Sequence, residues 1–129
     1  MIDLPPYARL LGLRADETAN GTRFVMPWHG DVVGRPLFLH GGAIAGLLEF
    51  AAFTSLREAL AEADEVAAQM KPITVTVTYL LGGRDRETYA EAVVERLGRT
   101  VANVDAVAWQ ETRERPIATA RINFLLERQ

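Results

Sequence analysis

The sequence has no cysteine among its 129 residues and only two histidines. The missing thiols exclude disulfides, thiolate nucleophiles and cysteine-ligated metals together. With His29 and His40 alone, and no acids at metal-ligand spacing, a metal site is not expected. Positive charge is also scarce. Fourteen Lys and Arg stand against seventeen Asp and Glu, for a formal charge of −3. The arginines are scattered, so a nucleic-acid-binding face is not expected. The opening "MIDLPPYARLLGL" has neither a basic start nor a long apolar run. The expectation is therefore no signal peptide, no membrane anchor and a cytoplasmic location.

What is present suits a single domain over residues 1–129. The composition is 49% hydrophobic and 24% charged, and a chain of this length buries roughly two-thirds of its unfolded surface. No repeat, low-complexity tract or linker divides it. "PPYARLLGL" reads as a short helix opened by proline and stopped by Gly12. "TRFVMPWH" reads as a strand, followed by the Gly- and Pro-punctuated loop "GDVVGRPLF". A long helix is expected from Gly41 to about Ala63, its end "REALAEADE" turning polar as it meets solvent. After Pro72 the period changes from helical to alternating. "ITVTVTYL", "TYAEAVVERLG", "TVANVDAVAWQE" and "IATARINFLLE" read as four strands, with Gly82-Gly83, Gly98 and "TRERP" as turns. The fold class is α+β: one long helix against a five- to six-stranded antiparallel sheet.

The long helix carries a puzzle. From Gly41 to Leu56 its one charge is Glu49. Ile44, Leu47, Leu48, Ala51, Ser55 and Leu56 form a stripe suited to a sheet. The opposite face, Ala45, Gly46, Glu49, Phe50 and Phe53, is also mostly apolar. A helix apolar all round needs cover on both sides. One sheet covers one side, so the same helix of a second subunit is expected to cover the other, giving a homodimer. Burying an unpaired carboxylate costs several kcal/mol or raises its pKa. Glu49 is then either solvated at the interface edge, paired with an arginine, or a general base or nucleophile for an acyl carbonyl.

Gly41 and Gly42 open the helix, where backbone N–H groups lack partners and a developing oxyanion finds stabilisation. Gly41 and Glu49 lie about 12 Å apart along the axis, too far to touch one carbonyl. Antiparallel helices across a dimer axis bring Gly41 of one chain near Glu49 of the other, so the site is expected between subunits.

"HGGAIAGLLE", with an acid nine positions after the histidine, resembles the hotdog-fold acyl-CoA thioesterases, specifically the phenylacetate-degradation (PaaI-like) branch. The resemblance extends over most of the chain. It implies hydrolysis of an acyl-CoA thioester at an intersubunit site in dimers or dimers of dimers, with coenzyme A as part of the substrate and no other cofactor. It also implies an oxyanion-hole N–H from Gly41, an orienting His40 and Glu49 as nucleophile or base. Two positions depart from the family pattern. Gly34 stands where Asn or Gln usually positions water or the carbonyl, and Phe53 where Ser or Thr often follows the acid. The alternative is a non-catalytic acyl-CoA- or aromatic-ligand-binding dimer. A hotdog dehydratase or hydratase is least expected, because no second acid completes a couple with His40.

Further site residues follow. Gly42, Gly34, Phe38 and Phe53 are expected at the substrate, with Leu39 and Phe50 as further apolar lining. Coenzyme A phosphates call for cations at the mouth. Arg84 and Arg86 in "GGRDR", and Gly98 and Arg99 in "LGRT", sit in turns suited to that role, Arg99 first among them. His29, beside Trp28, is expected to be structural.

Overall fold

The computed structural model describes residues 4–63, 65 and 69–127. The first three residues of the N-terminal run, and Asp64 of the polar helix end, lie outside them. Helix α1 spans Pro6–Leu11 and ends on Gly12, whose φ of 74° is the left-handed conformation that closes a helix. Strands β1 (Arg14–Thr18) and β2 (Gly21–Met26) form a hairpin. A 3-10 turn over Gly30–Val32 and a loop lead to α2, Gly41–Glu62. Strands β3 (Gln69–Tyr79), β4 (Thr88–Leu97), β5 (Val101–Trp109) and β6 (Ala118–Glu127) complete the chain. The described strands form one antiparallel sheet in the order β1-β2-β4-β5-β6-β3. The expected helix-and-sheet architecture is there. The strand missed in the sequence is β1, whose "RADET" has no alternation of apolar residues.

The sheet curves around α2. Leu47, Leu48 and Leu56 are fully buried against Phe24, Ala90, Val104, Ile122 and Phe124 of the strands. Truncating any one of those leucines to alanine costs roughly 2–5 kcal/mol. The opposite face of α2 meets α1 and the edge of the core. Tyr7 and Leu11 of α1 lie over Gly46, where even a Cβ would come within 2.7 Å of the Tyr7 ring. Phe50 meets Phe24 edge to face, centroids 5.2 Å apart. Phe53 tilts against Phe124 at 6.4 Å. Within one chain α1 and the curved sheet cover this face only in part, leaving Ala45, Gly46, Glu49, Phe50 and Phe53 half-buried.

Uncovered apolar surface lies instead on β3. This edge strand pairs on one side only, with β6. Val75, Val77 and Tyr79 stand opposite the buried Ile122, Ala120 and Ala118, so they share the helix-facing side of the sheet. Yet Val75 and Tyr79 are exposed, as are Ile73, Leu80 and Leu81. The sheet extends beyond what one helix can cover. No helix among the described residues is long and apolar enough to cross a membrane.

The sheet's outer face is polar. There Arg121 binds both oxygens of Asp105 across the strands, at 2.7 and 2.8 Å. This hydrogen-bonded pairing holds the Asp105 carboxyl below its usual range, a shift that burial partly opposes. Stability from the pair is therefore present above the ordinary aspartate pKa and is lost as pH falls through the lowered one. Both side chains are substantially exposed, so solvent screening keeps the pair's contribution small. Asp105→Asn is expected to lower the melting temperature slightly at neutral pH, and the gap from the parent protein should close as melts are taken from pH 6 down to pH 2.

Candidate functional site

The segment before α2 is a set of tight hydrogen-bonded turns. The His29 ring accepts from the Asp31 N–H at 3.3 Å, and its Nε2 meets the Leu11 carbonyl at 2.8 Å. It ties the end of α1 to this loop, a structural role. Pro36 and Leu37 occupy the corners of a turn closed by the Phe38 N–H on the Arg35 carbonyl, with Leu37 at φ 67°. A branched residue in that left-handed conformation costs on the order of 1 kcal/mol. The Leu39 N–H then donates to Gly83 O, and the His40 N–H to Val32 O. The start of α2 is thereby anchored to two other segments.

His40 is the N-cap. Its Nδ1 accepts the Gly42 N–H at 2.9 Å, and a Cβ on Gly42 would lie 2.8 Å from its ring. The Gly42 N–H, expected at the substrate, is thus spent inside the protein. The Gly41 N–H donates to no described residue. Of the first two helix donors, one is capped and one is free. Above Gly41 stands Tyr79, whose hydroxyl donates to the Gly41 carbonyl at 2.8 Å. An open groove of about 320 Å³ runs over this point, walled by Phe38, Leu39, Ile44, Tyr79 and Leu81 with Arg35 at its rim. A carbonyl oxygen entering it would find one unengaged donor at the positive end of a 22-residue helix.

Glu49 is half-buried two turns further along α2 and makes no hydrogen bond or ion pair with any described residue. It does not line the Gly41 groove. One chain therefore holds the free donor and the unpaired acid apart, as their helical spacing requires.

The remaining candidates divide clearly. Phe38 lines the groove, as does Leu39. Phe53 does not: it packs on Phe124, with the Arg57 guanidinium 5.0 Å above its ring. Phe50 likewise packs into the core, on Phe24. Gly34 has no room for a side chain, since a Cβ there would lie 2.9 Å from His40 Cα and 3.2 Å from His40 N. Its N–H closes the loop on Phe38 O at 3.0 Å. The glycine is what lets this loop lie flat on the helix start. Arg84 sits beside the groove, its peptide held from both sides by Gln110. Arg86 pairs with Glu111 at 3.1 Å. Gly98 and Arg99 lie in the β4–β5 hairpin near Ala63, at the other end of α2. Gly98 serves that hairpin, where a Cβ would strike Val101 O at 2.7 Å. Arg84 and Arg99 thus lie toward opposite ends of α2, a helix about 33 Å long.

Two residues of the groove were missed in the sequence. Tyr79 lies in a strand whose alternation gives no sign that its hydroxyl reaches α2. Arg35 was passed over as a loop residue.

Comparison with known proteins follows the same lines. The profile of the acyl-CoA thioesterase N-terminal domain matches residues 32–125. No curated protein matches the chain. Among solved structures, a Chromobacterium violaceum protein is 32% identical, with 94% of this chain and 82% of that one covered and a TM-score of 0.74. A Bacillus halodurans protein crystallised with CoA is 18% identical over 98% of this chain and 81% of its own, with a TM-score of 0.81. A phenylacetic acid degradation-related protein of Ralstonia eutropha is 20% identical over 96% and 92%, with a TM-score of 0.78.

The packing around Gly34 gives a direct test. Gly34→Ala and Gly34→Asn are expected to destabilise the protein by roughly 1–3 kcal/mol, measured by urea unfolding, because the clash is with backbone. Unchanged stability in both variants would mean that the loop has room for a side chain.

Proposed function

Since the chain belongs to the acyl-CoA thioesterase family, we propose that it hydrolyses an acyl-CoA thioester to the free acid and CoA at a site shared by two subunits. The observation that carries this reading is that Gly41, whose N–H donates to no described residue, lines a largely apolar groove at the start of α2. In the proposed reaction the thioester carbonyl oxygen accepts the Gly41 N–H. Glu49 of the partner subunit either takes a proton from water, whose hydroxide attacks the carbonyl carbon, or attacks that carbon itself. Negative charge gathers on the oxygen held by Gly41. The C–S bond then breaks, and the CoA thiolate leaves and is protonated. On the direct route, water afterwards cleaves the acyl–Glu49 anhydride. His40 acts by holding the helix start, and Tyr79 by fixing the Gly41 peptide.

The shared site rests on β3. Its unpaired edge and the exposed Val75 and Tyr79 suit antiparallel pairing with a second β3. A two-fold axis there sets the two α2 helices antiparallel on one side of a continuous sheet. The uncovered strip of each sheet then meets the other subunit, and Glu49 approaches the partner's groove. A dimer of dimers would stack further copies on this unit. The phenylacetic acid degradation-related neighbour and the neighbour crystallised with CoA support the PaaI-like branch and a CoA ester. Arg84 and Arg99, as CoA contacts, would meet one ligand only across the subunit boundary. A second reading is a non-catalytic acyl-CoA-binding dimer. It is favoured by the closed packing at Gly34, which leaves no side chain there to hold water.

Free-thiol release from aryl-, short- and medium-chain acyl-CoAs is expected from the parent protein and should fall at least about a hundredfold in Glu49→Ala. Turnover retained in that variant would refute the role of Glu49, and tight binding without turnover by the parent would favour the second reading. Val75→Arg tests the assembly separately. Light scattering is expected to show half the parent's mass, with hydrolysis lost, while the isolated chain tolerates the change at a position 43% exposed.

A further inference from the structure

Most arginines close to a carboxylate in this molecule are paired with it: Arg14 with Glu87, Arg23 with Asp16, Arg86 with Glu111, Arg113 with Glu91 and Arg121 with Asp105. Two arginines at the groove rim are arranged otherwise. The Arg35 guanidinium lies 4.1 Å from the Phe38 ring centroid and that of Arg84 lies 4.6 Å from the same ring. Neither faces a carboxylate among the described residues, and neither is buried. Two like charges on one ring, in a chain of formal charge −3, form a local cationic focus that an anion would relieve.

The arrangement is built rather than incidental. Phe38 is set by the turn that holds Leu37 at φ 67° and by a bridge to Arg84. Gln110 fixes the Arg84 peptide through its N–H and its carbonyl. Arg35 and Phe38 wall the Gly41 groove, and Arg84 walls a second groove that shares Leu81 and Gly82 with it. The pair thus stands where the two grooves meet.

Resting on the thioesterase reading above, we infer that Arg35 and Arg84, splayed on Phe38, clamp the diphosphate of CoA. The chemistry favours phosphate over an acid on the acyl group. The groove's inner wall is apolar at Leu39, Ile44 and Leu81, which suits an uncharged acyl chain, whereas the two cations lie in water at the rim, where a hydrated diphosphate can stay. Guanidinium forks match phosphate oxygens in pairs. Two residues separate Phe38 from Gly41, a span of at most about 11 Å, and the pantetheine arm of about a dozen bonds bridges it with slack. In this reading Phe38 is a platform for the two cations and not part of an acyl pocket.

The test compares Arg35→Met, Arg84→Met and the double variant on an acyl-CoA and on the acyl-pantetheine with the same acid but no phosphate. Each single change is expected to raise KM for the acyl-CoA about tenfold, with kcat kept and with KM for acyl-pantetheine within about twofold of the parent's. An equal rise for both substrates would overturn the clamp and leave a groove-shaping role. A loss confined to acyl groups bearing a carboxylate would move the recognised anion to the acid, and would also overturn it. Calorimetric titration of free CoA into Glu49→Ala protein, with and without the two arginines, reads the clamp without turnover. It decides the matter even if Glu49 is not catalytic: unchanged CoA affinity without the arginines, or no CoA binding with them, sinks the clamp.

Discussion

The structure depends on one constraint, a helix with almost no polar face. Burying Leu47, Leu48 and Leu56 on one side and covering part of Phe50 and Phe53 on the other takes a sheet that curves around α2, with α1 laid over Gly46. The apolar area involved is far too large to leave in water. The cover is uneven. Strands β4, β5 and β6 lie under the helix, while β3 runs out beyond it with its inward side chains in solvent. Wrapping the helix and leaving a sticky edge are two sides of one geometry, and the proposed assembly begins from that edge.

The second constraint acts at the start of α2, where a helix always has more donors than partners. His40 takes the Gly42 N–H and leaves that of Gly41 free. A firmer cap would satisfy both and close the site. The loop before it is tied down by Val32 and Gly83, so the free donor sits on a rigid frame. Its strained point, Leu37, lies beside the aromatic platform rather than beside the donor.

Much of this was legible in the sequence, because periodicity reports burial directly. The long helix, the four late strands, the start at Gly41 and the separation of Gly41 from Glu49 follow from spacing alone. Strand β1 was missed because its residues pair through charge, Arg14 with Glu87 and Asp16 with Arg23, rather than by alternation. The signal that could have found it is Asn20-Gly21, a hairpin turn. The packing of Phe53 was hidden for a different reason. A helical wheel gives the direction of a side chain but not how far a sheet curves to meet it, and Phe124 meets this one. The packing of His40 against Gly34 joins residues six apart through a turn that the sequence does not show. Tyr79 and Arg35 act across distances in sequence that no local pattern records.

The hydrogen bond from the Tyr79 hydroxyl to the Gly41 carbonyl joins the edge strand β3 to the peptide that opens the helix. A phenol has no flexible stem to absorb movement, so a displacement of β3 is passed to the Gly41 peptide through a rigid ring. The outer edge of the sheet and the floor of the groove are therefore not free to drift apart in evolution. A change of residue tolerated by one must be tuned to the other, as the two ends of a lever move together.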